Sequence, residues 1–129
     1  MQRLVALLLT VAAVALAQFA WELPVDYENT LTNPLVTSFT CEGRNYGYYA
    51  DVDNNCEVYH ICLPVVDEYG GVLRTAQYSF MCNNFTIFSQ RSLTCDTRYD
   101  AYPCEDAPSL YDISNAGFGE VYEPETAES

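Results

Sequence analysis

The sequence predicts a small, disulfide-rich β protein with a short antiparallel sheet, a second β-hairpin and three disulfides. Six cysteines lie between Cys41 and Cys104, and an even number of cysteines in a short secreted chain indicates a disulfide framework. Strand-like segments follow one another in the same interval, and no segment there has a sustained helical period. Together these observations favour a cross-linked β fold over a helical one.

The strand-like segments are expected to pair as two hairpins. Residues 57–66 are rich in valine, isoleucine and tyrosine, and residues 76–82 alternate apolar and polar side chains, so both are predicted strands. The glycines at 70–71 between them supply the turn of the first hairpin. A second, shorter hairpin is predicted where residues 86–88 and 93–95 flank the turn SQRS.

The start of the chain has the pattern of a secretory signal peptide. Arg3 precedes the apolar stretch Leu4–Leu16, and the triplet Ala15–Ala17 has the small residues that signal peptidase accepts. A membrane-spanning helix needs about 20 apolar residues. The stretch Leu4–Leu16 is shorter than this, so a membrane anchor is not favoured. We therefore expect residues 1–17 to be removed and the mature protein to be secreted and extracellular.

Both flanks of the cysteine-containing domain are expected to lack a fold of their own. Residues 18–38 contain two prolines and no clear period, which favours a leader or linker that lies loosely on a domain spanning residues 39–104. Residues 105–129 hold seven acidic residues and no basic ones. This composition favours a disordered acidic tail.

The charge of the chain excludes several classes of partner. The sequence has 18 acidic and 5 basic residues, a formal net charge of −13, which repels nucleic-acid phosphates and anionic membranes. We therefore expect neutral or cationic partners, with no nucleic acid and no membrane among them. The protein itself is expected to be a monomer.

A metal site is one alternative, because His60, the sole histidine, lies between Cys56 and Cys62. Zinc takes four ligands, usually in closely spaced pairs, whereas here there is one histidine and the cysteines are expected to pair with one another. The segment DVDNN at residues 51–55 resembles the start of a calcium-binding loop. That loop needs a glycine and a glutamate where this chain has cysteines. No metal and no cofactor are expected, and His60 is predicted to pack beside the bridges and to hydrogen-bond to backbone.

The sequence does not predict an enzyme. A nucleophile needs a neighbouring base and a third group that orients the base, and no serine is marked in this way. Paired carboxylates remain open because acidic residues are plentiful.

Aromatic residues are the most informative part of the composition, with 11 Tyr, 6 Phe and 1 Trp. Rings dominate what a small core buries, but some must stay exposed in so small a domain, where flat rings stack on the faces of sugars.

The cysteines and the residues around them form a specific pattern. The intervals between successive cysteines are 14, 5, 19, 12 and 8 residues. They are accompanied by GYYAD at residues 47–51, CEVYHIC at 56–62, TCD at 94–96 and Phe88 seven residues before the fifth cysteine. This pattern resembles the peritrophin-A type of chitin-binding domain, also called type 2, over residues 39–104.

The resemblance implies both a cross-link pattern and a function. It implies the disulfides Cys41–Cys62, Cys56–Cys104 and Cys82–Cys95, one of many pairings that six cysteines allow. It also implies a secreted, non-catalytic module that binds chitin or N-acetylglucosamine oligomers in cuticle or gut lining. Chains with these flanks are similar to arthropod cuticle proteins and also to secreted proteins of centipede venoms. The alternative is therefore a venom component on the same scaffold, with chitin binding weak or lost.

The family's sugar-binding surface lies on the hairpin between the fourth and fifth cysteines and on its neighbours. The candidates that this implies for chitin binding are four rings and one amide, namely Tyr49, Phe80, Phe85, Tyr99 and Asn83. Many family members carry tryptophan after the CD pair, where this chain has Thr97 and Arg98.

The same hairpin contains a candidate glycosylation site, Asn84, in the sequon Asn84-Phe85-Thr86. If this segment is extended, Asn84 and Phe85 point to opposite faces, and a glycan and a sugar ligand coexist. If it is a tight turn, the two compete.

Overall fold

The computed structural model describes residues 20–117, which form two small antiparallel sheets. Strands β1 (Gly47–Ala50), β2 (Val58–Val66) and β3 (Val72–Met81) make a three-stranded sheet in that order. Strands β4 (Thr86–Ser89) and β5 (Thr94–Thr97) make a separate hairpin. The predicted fold class, with its sheet, second hairpin and three disulfides, is confirmed.

Local chemistry closes each hairpin. In the first, the Asp67 carboxylate accepts hydrogen bonds from the backbone N–H groups of Tyr69 and Gly71, each at 2.8 Å, as in other Asx turns. In the second, the N–H of Leu93 donates to the Ser89 carbonyl at 2.8 Å. These contacts fix the ends of the strands and therefore the pairing between them.

Short helical segments make up the remaining regular structure. They are 3₁₀ turns at Tyr27–Asn29 and Val52–Asn54, a longer 3₁₀ segment at Cys104–Leu110, and a one-turn α-helix at Tyr111–Ser114. None of the helices within residues 20–117 has the length and apolar composition needed to cross a membrane.

The cross-strand register decides which side chains cover each face of the larger sheet. Tyr49, His60 and Ser79 lie opposite one another on adjacent strands, so they share one face. Phe39, which precedes the sheet, covers that face, and its ring stacks on His60 with centroids 4.2 Å apart. Trp21 approaches the same histidine edge-on at 4.8 Å, so His60 is closed to solvent.

The opposite face of the sheet packs on the second hairpin through a stack of rings. Tyr59 lies between Phe88 of β4, at 4.4 Å, and Phe80 of β3, at 5.5 Å. Phe88 is buried, whereas Phe80 is 40% exposed, so the stack runs from the core to the surface.

Three disulfides hold these parts together. The structure contains the same pairs that the family resemblance implies: Cys41–Cys62, Cys56–Cys104 and Cys82–Cys95. The first ties the approach to β1 onto β2, the second ties the C-terminal segment to the core, and the third joins the end of β3 to β5.

The outer edge of β1 is satisfied by two side-chain amides in place of a fourth strand. Buried Gln90 accepts from the N–H of Ala50 at 2.7 Å and donates to the Tyr48 carbonyl at 2.8 Å. Asn115 bonds both the N–H and the carbonyl of Tyr48, at 2.9 and 2.8 Å. Asn115 packs so closely on Gly47 that a Cβ there would lie 2.4 Å from it, so this position requires glycine.

The expected disorder of the acidic tail from residue 105 onward is wrong for residues 105–117. This segment continues the 3₁₀ and α-helical turns and buries Ala107 and Asn115 in the domain. The side-chain contacts of Asn115 with β1 supply the reason. Residues 118–129 lie outside the described residues, as do residues 1–19, on which the expected signal peptide falls.

The leader is also more firmly attached than expected. Both carboxylate oxygens of buried Glu57 accept from Thr32, one from its N–H at 2.9 Å and the other from its hydroxyl. Buried Asn54 accepts from the N–H of Val36 at 2.9 Å and donates to its carbonyl at 2.7 Å. Buried polar groups need such partners, and here the leader supplies them.

Candidate functional site

The candidate site centres on the turn between β3 and β4. The N–H of Thr86 donates to the Asn83 carbonyl at 3.1 Å, and the Thr86 hydroxyl donates to the same oxygen at 2.7 Å. Residues 83–86 therefore form a tight turn, and of the two geometries open at Asn84 and Phe85, the extended one is not present.

Phe85 is unusual in both its backbone and its surroundings. Its φ is +69°, a left-handed conformation that disfavours a bulky side chain by about 1–2 kcal/mol. Its side chain is 91% exposed, so it gains almost nothing from packing. A bulky side chain that disfavours its own backbone conformation and is not buried does not help the fold. Its presence here indicates a role outside folding.

Two further candidate rings, Phe80 and Tyr99, are exposed, and so are the side chains of Asn83 and Asn84. Phe80 is the outermost ring of the stack on Tyr59, so its inner face is supported by the core. Tyr99 is 99% exposed in a turn after β5 that is closed by the N–H of Asp100 donating to the Thr97 carbonyl at 3.1 Å.

The structure corrects the expectation that Tyr49 is available to bind chitin. It is only 3% exposed, its hydroxyl donates to the Asn45 carbonyl at 2.7 Å, and its ring meets Tyr111 edge-on at 5.0 Å. Burial raises the pKa of the Tyr49 phenol. The ring belongs to the core, because Phe39 and Tyr111 cover the sheet face that it occupies.

Arg44 and Tyr111 form a structural cluster that the sequence did not reveal. The Arg44 guanidinium lies 4.5 Å from the centre of the Phe39 ring and 5.3 Å from that of Tyr111, an arrangement that favours a cation. The Tyr111 hydroxyl donates to the Ala50 carbonyl at 2.6 Å. Burial raises the pKa of Tyr111 to about 12, against the opposing effect of Arg44. The cluster fastens the C-terminal segment to β1.

His60 lies in a buried line of polar groups. Its Nε2 is 2.6 Å from Asp51 Oδ2 and its Nδ1 is 2.8 Å from Ser79 Oγ. The hydroxyl of Ser79 has one proton and donates it to the Ala20 carbonyl, so Nδ1 donates to Ser79. The partners of His60 are thus side chains, and the expectation of backbone partners is wrong.

The line Asp51–His60–Ser79 has the residue types of a catalytic triad but not its accessibility. His60 is fully buried and Ser79 is 7% exposed, and the serine proton is directed to a backbone carbonyl of the leader. A nucleophile must reach its substrate. The arrangement is therefore structural. Across residues 20–117, no three histidine, cysteine or acidic side chains are grouped to hold a metal ion.

The fold and the disulfides define a class of protein. Residues 41–104 match the model of the family described as the chitin binding Peritrophin-A domain. This part of the chain contains all three disulfides and both sheets, and it belongs to that family, which is a family of binding modules. The match begins after the leader and ends at the last cysteine.

Individual relatives are toxins by name. The chain is 41% identical over 88 residues to U-scoloptoxin(01)-Cw1a of Cormocephalus westwoodi. It is 36% identical over 88 residues to U-scoloptoxin(01)-Er1a of Ethmostigmus rubripes. Each alignment covers 68% of this chain and 66% of the relative, so the chain spans about two-thirds of these proteins' length. No solved structure gives a significant match.

Proposed function

We propose that this protein is a secreted, non-catalytic module that binds chitin or N-acetylglucosamine oligomers through the turn between β3 and β4. The observation that carries the proposal is Phe85, an almost fully exposed ring held in a left-handed backbone conformation. It lies within the residues that match a chitin-binding family.

The chemistry of this surface suits a neutral sugar polymer. Phe80 and Phe85 offer flat rings to the C–H faces of pyranoses, and the exposed amide of Asn83 is suited to hydrogen-bond a hydroxyl or an N-acetyl group. Tyr99 offers a further exposed ring in the turn after β5. The strongly negative chain charge would repel an anionic polysaccharide but not a neutral one.

Replacing Phe85 with alanine is expected to weaken chitin binding by about 1–3 kcal/mol, taking ring stacking on nucleobases as the analogue. Phe85→Gly should weaken binding equally and raise the melting temperature, because glycine adopts a positive φ at no steric cost. Depletion assays on chitin beads, with cellulose beads as the control, and thermal unfolding provide the two measurements.

The matched control is Tyr69→Ala, which removes another exposed ring (89% exposed) from the turn of the first hairpin. It should bind chitin like the parent. Equal binding by the parent and both Phe85 variants would show that the turn is not the binding surface.

The second candidate function is a venom component that keeps the scaffold and has lost the sugar. It is supported by the names of the two relatives and by Thr97 and Arg98, which occupy the positions where many family members carry tryptophan. The chitin-bead assay separates the candidates, because a correctly oxidised protein that stays in the supernatant favours the venom component.

A glycan on Asn84 is expected to compete with chitin. Residues 83–86 form a tight turn, which holds Asn84 beside Phe85, and an N-linked glycan is bulky and well solvated. Protein from glycosylating cells should therefore bind chitin more tightly after the Asn84→Gln substitution. Intact mass before and after glycosidase treatment reports whether the site is occupied.

The same substitution in protein from a bacterial host is the control and should leave binding unchanged. An occupied site with no change in affinity on its removal would contradict the competition.

A further inference from the structure

We propose that the leader, residues 20–38, extends the sugar-binding surface, and that Tyr27 contacts additional units of the same N-acetylglucosamine chain. This inference rests on the proposed function. It adds a part of the chain that lies outside the matched residues 41–104.

The leader is held at both ends. Near its start, the Ala20 carbonyl accepts the Ser79 proton and Trp21 packs edge-on against His60. Near its end, Val36 exchanges two hydrogen bonds with the buried side chain of Asn54. A surface made by this segment is therefore already organised before any ligand arrives, which lowers the entropy lost on binding.

The middle of the leader is held by a buried carboxylate. Glu57 is 6% exposed and accepts from Thr32 and, at 2.8 Å, from Arg98. This anchor positions the 3₁₀ turn Tyr27–Asn29, which lies between the two fixed ends.

Tyr27 lines two cavities, and one of them reaches the proposed site. A cavity of about 200 Å³ lies between the leader, including Asp26 and Tyr27, and the turn residues Asn83 and Asn84. A second cavity, of about 580 Å³, is formed within the leader and is also lined by Tyr27. Because Tyr27 belongs to both linings, a chain that contacts Asn83 and extends along Tyr27 is brought to the leader cavity.

The lining of the larger cavity combines apolar groups, uncharged polar groups and one acidic side chain, Glu28. Leu31 and Leu35 contribute apolar surface, and Thr32, Asn33 and Thr37 contribute hydroxyl and amide groups. Pockets of this size and mixed character are typical of small-ligand sites. Each cavity is lined by one acidic residue, Glu28 in the larger and Asp26 in the smaller, and neither lining includes a basic side chain. The cavities therefore favour a neutral, hydroxyl-rich chain over an anionic one.

The test compares ligands of different length. Binding of an N-acetylglucosamine disaccharide and hexasaccharide is measured by calorimetry on the mature, oxidised protein made in bacteria. The parent is expected to bind the hexasaccharide more tightly. Tyr27→Ala should reduce hexasaccharide affinity by about tenfold, the low end for loss of one stacked ring, and leave disaccharide affinity unchanged. Phe85→Ala should weaken both ligands.

Two control variants and a fluorescence spectrum test whether the effect of Tyr27→Ala comes from the lost ring or from a displaced leader. Tyr27→Phe keeps the ring and should retain the length preference, and Asn29→Ala, on the same 3₁₀ turn but outside the cavity linings, should behave like the parent. Trp21 is the only tryptophan, so an unchanged fluorescence spectrum shows that the leader of Tyr27→Ala is still docked.

The inference and the proposed function fail in different ways. If the parent binds both oligomers equally, or Tyr27→Ala loses the same affinity for both, the leader is not an extension and the inference is overturned while chitin binding stands. If the parent binds neither oligomer, both are overturned.

Discussion

Replacing His60 with alanine is expected to destabilise the protein by about 3–5 kcal/mol. The substitution leaves the Asp51 carboxylate, 2% exposed, without the ring nitrogen that lies 2.6 Å from it. The Asn54 side-chain amide still donates to this carboxylate at 2.9 Å, but one neutral donor does not replace the lost partner of a buried acidic group. It also removes the stack with Phe39 and the support for Trp21. Urea unfolding with the disulfides intact, followed by tryptophan fluorescence, measures the loss.

The double variant Asp51→Asn/His60→Gln is the control for charge. It places two neutral, hydrogen-bonding side chains where the ionisable pair was, so it should be more stable than His60→Ala even though it changes more residues. If the double variant is as unstable as His60→Ala, packing rather than the buried carboxylate explains the loss.

Replacing Cys56 and Cys104 with alanine is expected to cost about 4 kcal/mol, compared with about 3 kcal/mol for Cys82 and Cys95, in the chain-entropy model of disulfide stabilisation. The sequence separations are 48 and 13, and the longer loop restricts the unfolded chain more. Chemical unfolding of each double-alanine variant gives the two values.

Hydrogen exchange distinguishes where each bridge acts. Loss of Cys56–Cys104 frees the C-terminal segment, so the N–H of Tyr48, which donates to Asn115 at 2.9 Å, should exchange faster. Loss of Cys82–Cys95 should instead affect β4 and β5. A larger loss of stability from the shorter bridge would contradict the entropic account.

The hairpins were predictable because their signals are local. The pair Gly70-Gly71 and the turn SQRS interrupt runs of strand-forming residues, and each signal lies within a few positions of the structure that it specifies. The structure confirms both hairpins. The family resemblance made Phe85 a candidate sugar contact but did not predict its positive φ, because phenylalanine disfavours that conformation.

The C-terminal segment was missed because composition obscured periodicity. Ala107, Tyr111 and Asn115 recur every fourth residue and all contact the domain, which is helical spacing. The three acidic residues and Pro108 among residues 105–117 favoured disorder instead. A search for this spacing just after the last cysteine would have found the segment.

Tyr49 and the leader were misjudged for a shared reason. The alternation in GYYA does not show that both faces of β1 are covered, since the covering residues lie elsewhere in the chain. The leader is held by contacts such as Thr32 with Glu57, which are 25 residues apart in sequence. Polar side chains that bond distant backbone groups leave no periodic pattern, so only the folded structure reveals them.

The turn at residues 83–86 separates the residues proposed to bind sugar from the contacts that hold the fold. The hydrogen bonds that close the turn come from Asn83 backbone and Thr86, while Asn84 and Phe85 project from it and are exposed. Substitutions at these two positions are therefore tolerated by the scaffold and act mainly on ligand choice. If the turn binds the ligand as proposed, single mutations at these two positions would change the target while the bridges and the core are retained.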